Sequence, residues 1–77
     1  MPTPKVHSKM LATIAANIKR LRIEKEMSQQ DLGNQIDKNK QSIQKLETGL
    51  INPRFLTLVE VSEGLGVSMK DILKDVF

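Results

Sequence analysis

Lys40, Gln41, Gln44 and Lys45 fall at helical spacing, so a helix through them carries all four on one outward stripe. Their chemistry suits base edges in a DNA groove. Glutamine matches adenine N6 and N7 with two hydrogen bonds, whereas lysine reaches guanine O6 and N7 or a phosphate oxygen. Taken alone, the stripe also fits any solvated helix face, so its surroundings must decide. Catalysis has far less to build on: the carboxylates scatter over helix faces or sit at cap positions, with no convergent acid, base and nucleophile. There is no cysteine and one histidine, His7, so neither thiolate nor multi-histidine metal sites are available. The expectation is a non-enzyme with no cofactor and no metal.

The stripe needs a scaffold, and the stretch Ser28 to Gly49 supplies one as two short helices joined by a tight turn. Ser28 with Asp31 three residues on forms a capping box, with Leu32 and Ile36 facing inward behind it. Gly33 is costly inside a helix unless something presses against it, and another helix is expected to cross there. Asp37 tolerates the left-handed conformation that the turn requires, and Asn39 can cap the second helix. Ile43 and Leu46 then anchor that helix to the core, and Gly49 stops it.

The remaining segments are also helical. Residues 1–7, with Pro2 and Pro4, read as a mobile arm, and residues 8–77 as one domain. Ser8 can cap a first helix whose Leu11, Ile14, Ile18 and Leu21 form a buried stripe, ending near Lys25 or Glu26. Asn52 and Pro53 can open a fourth helix carrying Phe55, Leu58, Val61 and Leu65, closed by Gly66. Ser68 and Asp71 repeat the capping box for a terminal helix in which Met69, Ile72, Leu73 and Val76 face inward. No segment alternates as a strand does, so the class is all-α: a compact five-helix domain with helices of about 8 to 18 residues and short connections. Met10, Met27 and Met69 read as gap-filling core.

A chain of 77 residues has a thin core. Its net charge of +3 is unevenly spread. Residues 1–45 carry nine Lys/Arg against four Asp/Glu, and the remainder three against five, so one end of the sequence suits a polyanion. No apolar run is long enough to span a bilayer and the N-terminal residues lack a secretory signal, so no membrane partner and a cytoplasmic location are expected.

In order and spacing, Leu21-Arg22, Ser28-Gln29, Leu32, Ser42-Ile43, Leu46-Glu47-x-Gly49, Pro53, Thr57-Leu58, Leu65-Gly66-Val67-Ser68 and Asp71-Ile72-Leu73 resemble one known pattern. It is the helix-turn-helix DNA-binding domain of the lambdoid phage repressors, Cro proteins and related XRE-like bacterial regulators. The chain departs from that pattern at Gly33 and Ser62, where alanine is common, and at Asp37, where glycine is. The resemblance implies a third helix lying in the major groove, with Lys40, Gln41, Gln44 and Lys45 as base readers and Gln41 foremost. It also implies backbone contacts from Ser28, Gln29, Asn39, Ser42 and Thr48, and an approach of Arg54 to the minor groove. Lys38 joins the phosphate contacts by location alone. Arg22 and Glu47 match a buried ion pair that orients the reading helix; the alternative is that both are solvated.

The partner implied is double-stranded DNA, bound as a homodimer on a roughly palindromic site, with repression the expected outcome. The dimer surface is placed at the fourth-to-fifth helix region and at Val76 and Phe77, unless Phe77 folds back on its own core. A second class of function also fits: an antitoxin or other partner-binding protein whose principal ligand is a toxin or another protein.

Overall fold

The computed structural model describes residues 4–77, all helices and connections, with no strand among the described residues. The elements are α1 (Pro4–Glu24), α2 (Gln29–Gln35), α3 (Lys40–Leu46), α4 (Phe55–Leu65) and α5 (Met69–Ile72). The stripe on α1 buries Ile18 and Leu21, which meet Leu32 of α2, Ile43 and Leu46 of α3, Leu58, Val61 and Leu65 of α4, and Ile72 of α5. Met27 and Met69 pack at the edge of this cluster. Packing of these faces does most of the stabilising, because helices of four to seven residues do not persist alone in water.

Several expectations are corrected. The arm expected over residues 1–7 gives way to helix from Pro4 onward, and residues 1–3 lie outside those described. Proline fits the first turn of a helix, where its missing N–H has no partner to lose, so Ser8 lies inside α1 and caps nothing. The first helix ends at Glu24, and Glu26 turns the chain with a positive φ of 56°. The fourth helix opens later than expected: Arg54 occupies its N-cap with no side-chain cap bond, and Asn52 and Pro53 stay in the loop. Phe55 is therefore the first residue of α4 and 67% exposed rather than buried. Its Cα–Cβ bond tilts toward the N-terminus and carries the ring past the end of the core.

Gly33 is pressed by its own motif. A Cβ there would lie 2.5 Å from the Lys38 carbonyl oxygen, so the turn between α2 and α3 folds directly against it. The helix crossing occurs at Gly64 of α4 instead, where an added Cβ would lie 2.6 Å from Ile36 Cγ2 and 3.2 Å from Leu32 Cδ1. The terminal helix is a single turn, and the sequence reading missed what anchors it. Asn17 lies on the buried face of α1, and its Nδ2 donates to the carbonyls of Ile72 and Lys74, both at 2.8 Å.

Candidate nucleic-acid interface

Two caps set the geometry of α2 and α3. Ser28 Oγ accepts from Asp31 N–H at 2.9 Å while Asp31 Oδ2 accepts from Ser28 N–H at 2.8 Å, closing the capping box at α2. Those bonds favour the charged carboxylate and hold Asp31 below its ordinary pKa of 3.8. At the turn, Asp37 adopts φ 57° and Lys38 N–H donates to the Gly33 carbonyl at 2.8 Å. Asn39 Oδ1 then accepts from Ser42 N–H at 2.8 Å and starts α3. Beyond α3, Gly49 takes φ 76° with its α-carbon so near α1 that a Cβ would lie 3.1 Å from Ala12 Cα.

Ile43 and Leu46 are buried, which fixes the rotation of α3 about its axis. Lys40, Gln41, Gln44 and Lys45 are consequently all exposed. None of the four makes a side-chain hydrogen bond or ion pair within the described residues, so their donors and acceptors face solvent.

Arg22 and Glu47 brace this face from behind. Arg22 Nε donates to Glu47 Oε2 at 2.7 Å and Nη2 to Oε1 at 3.0 Å, a bidentate pair whose side chains are only 10% and 4% exposed. Arg22 Nη1 also donates to the Met27 carbonyl at 2.8 Å. The hydrogen bond and charge of Glu47 raise the Arg22 pKa further, against the opposing effect of burial. Gln29 completes the cluster by donating Nε2 to Glu47 Oε1 at 3.1 Å. One carboxylate thus ties α1, the start of α2 and the end of α3 together.

The other residues singled out by the sequence lie around this frame. Ser28 and Asn39 spend side-chain oxygens on their caps, and Thr48 Oγ1 donates to the Lys45 carbonyl at 2.6 Å. Ser42 and Arg54 are exposed. Lys38 is half-buried, with Nζ 3.7 Å from Glu60 Oε1 of α4, so part of its charge is offset. Val76 is half-buried, whereas Phe77 is 93% exposed and does not fold back on the core. Sequence reading missed the exposure of Leu50, Ile51, Phe55 and Leu56, which follow α3 closely in the chain.

A helix-turn-helix family model matches residues 18–72, from the middle of α1 through α5. The chain belongs to the lambda-repressor-like helix-turn-helix family. Among members, it is 33% identical over 64 residues to the uncharacterized HTH-type transcriptional regulator y4dJ of Sinorhizobium fredii, with 83% of each chain covered. It is also 33% identical over 67 residues to multiprotein-bridging factor 1c of Arabidopsis thaliana; this alignment covers 87% of the chain and 45% of the plant protein, less than half its length. The helix-turn-helix fold is matched by the crystal structure of a hypothetical transcription factor, NHTF, from Neisseria. The TM-score is 0.80, with 22% identity, over 95% of this chain and 80% of that one.

Proposed function

We propose that this helix-turn-helix protein is a sequence-specific transcriptional regulator that binds a roughly palindromic operator as a homodimer and represses by occupying it. The observation that carries the reading is the free stripe of Lys40, Gln41, Gln44 and Lys45 on a helix whose opposite face is locked into the core. In this reading α3 enters the major groove and Gln41 grips adenine, while Lys40 and Lys45 take guanine or phosphate and Gln44 reads a neighbouring edge. Ser28, Gln29, Lys38, Asn39, Ser42 and Thr48 follow the sugar-phosphate backbone, and Arg54 approaches the minor groove. Two copies are needed because one module of this size buries too little DNA for tight specific binding. Among the described residues no helix is long and apolar enough to cross a membrane; in this reading the protein acts in the cytoplasm because its operator DNA is there.

Selection from random duplex pools, followed by affinity measurements across a salt series, tests this. A two-fold symmetric site should emerge, and Gln41→Ala should relax it at one position per half-site, by about 1–3 kcal/mol of discrimination. Enrichment of no sequence, with a shallow salt slope, would remove the regulator reading. The name of one relative, a multiprotein-bridging factor, supports a second reading in which the principal ligand is another protein. An antitoxin that masks its toxin is one such case, and a partner-binding assay with the duplex absent addresses it.

A further inference from the structure

Beside the stripe, one flank of α3 carries a different chemistry. Lys38 of the turn, Ser42 and Lys45 of α3, Ile51 and Pro53 of the following loop and Thr57 of α4 line one shallow groove of about 220 Å³. Its floor rests on the buried Ile43 and Leu46, and Ile51 and Pro53 extend the apolar surface toward solvent. Two lysines border it, and their charges are unequal. Lys38 Nζ lies 3.7 Å from Glu60 Oε1, so its charge is partly offset, whereas Lys45 is exposed and makes no ion pair among the described residues. We propose that this groove binds a small apolar monocarboxylate, whose carboxylate pairs with Lys45 and whose body covers Ile51 and Pro53, and that its occupancy excludes DNA from the same flank. The exclusion rests on the reading of Ser42 and Lys45 as DNA contacts given above.

Size and charge select the occupant. Sites for drug-sized ligands usually measure about 300–1,000 Å³, so this groove limits its ligand to a smaller molecule. A phosphate monoester carries a charge of about −1.5 to −2 and three acceptor oxygens, too much for one unpaired lysine beside an apolar floor. A carboxylate carries a single charge and accepts from an ammonium and hydroxyls together, the donors that Lys45, Ser42 and Thr57 supply. A DNA phosphodiester shares the single charge but has no apolar body, so it can use Lys45 without covering Ile51 and Pro53. The comparable opening along α1, lined by His7, Met10, Leu11, Ile14 and Asn52, has no lysine or arginine in its lining among the described residues and therefore no such preference. Position supplies the consequence: Ser42 and Lys45 belong to the helix that reads DNA in the proposed function, so ligand and operator compete for one surface.

Amide chemical-shift titration of the nitrogen-15-labelled chain without DNA tests the site directly. Sodium benzoate is the probe, at constant ionic strength; benzamide supplies the body without the charge, acetate the charge without the body, and inorganic phosphate a different anion. Benzoate should shift the amides of Ser42, Lys45, Ile51 and Thr57 saturably, with a dissociation constant of about 1–10 mM for a ligand of so few atoms, and each control should bind about 10-fold more weakly or less. Ile51→Asn alters the apolar floor at a half-exposed loop position outside the proposed DNA contacts, so benzoate affinity should fall about 10-fold while operator affinity is unchanged. Lys45→Gln should lose benzoate binding to a similar degree, and circular dichroism melts check that both variants fold. Benzoate at ten times its dissociation constant should weaken operator binding by the wild type about 10-fold per half-site, an effect that Ile51→Asn removes. Shifts that do not saturate, shifts centred on Met10 and Leu11, equal binding of any control, or full benzoate affinity in either variant would overturn the site. Undiminished operator binding by the saturated wild type would overturn the exclusion. The titration uses no operator, so the groove and the DNA reading fail separately.

Discussion

Glu47 concentrates more structural consequence than any other polar side chain, because its two oxygens accept from both Arg22 and Gln29 while it is almost wholly enclosed. Glu47→Ala strands the Arg22 guanidinium and should cost about 3–5 kcal/mol in denaturant unfolding. Gln29→Ala removes one bond at the edge of the cluster and should cost about 1 kcal/mol. A Glu47→Ala loss comparable with that of a surface ion pair, below about 1 kcal/mol, would mean that the cluster is solvated. These partners show where sequence reading stops. Residues 22 and 47 lie on different helices, and only the family pattern linked them; Gln29 was read as a backbone contact because nothing in its spacing reveals what its amide touches. Asn17 carried a readable signal, a polar residue three after Ile14 and four before Leu21, on an otherwise apolar stripe.

At the scale of elements, the caps of α2, α3 and α5 were legible because a cap is a local device spanning three residues. The start of α4 was not, since Asn52, Pro53 and Arg54 all fit a helix entry and tertiary packing selects among them. Phe55 was misplaced for the same reason. The α2 cap has a pH consequence. Asp31 has a lowered folded-state pKa, so its contribution is present above the ordinary value of 3.8 and is lost as pH falls through the folded one. The stability difference between wild type and Asp31→Asn, followed by thermal melts from pH 6 down to pH 2.5, should therefore close below about pH 4. A difference independent of pH would detach the cap from the carboxylate. The turn makes a second demand. Gly33→Ala drives a methyl into the Lys38 carbonyl, and backbone at 2.5 Å cannot yield as a flexible side chain does. The variant should lose more than about 1 kcal/mol despite the better helix propensity of alanine, and a gain in melting temperature would contradict the geometry.

Across the whole molecule, charge is distributed so that the described face of α3 is basic while Glu60 and Glu63 stand on α4. Glu60 lies close enough to Lys38 to compete with a phosphate for it. Glu60→Gln should tighten DNA binding at low salt and steepen the salt dependence, by up to about 0.9 in logarithmic slope for each additional phosphate engaged. An unchanged slope would show that Lys38 does not reach the backbone. Fold class, helix order and the apolar core were readable because the periodicity of every segment agrees with one packing. The exposed loop surface was not, because a hydrophobic residue written in a sequence does not say whether its own chain or another covers it.

The free stripe on α3 and the enclosed brace behind it share no side-chain bond. Address and chassis are therefore separable in this protein. Lys40, Gln41, Gln44 and Lys45 can be exchanged for other polar side chains with little change in stability, while the helix that presents them keeps its angle. Under the proposed reading of α3 as the base-reading helix, new operator preferences would arise by drift at these four positions, without passing through unfolded intermediates.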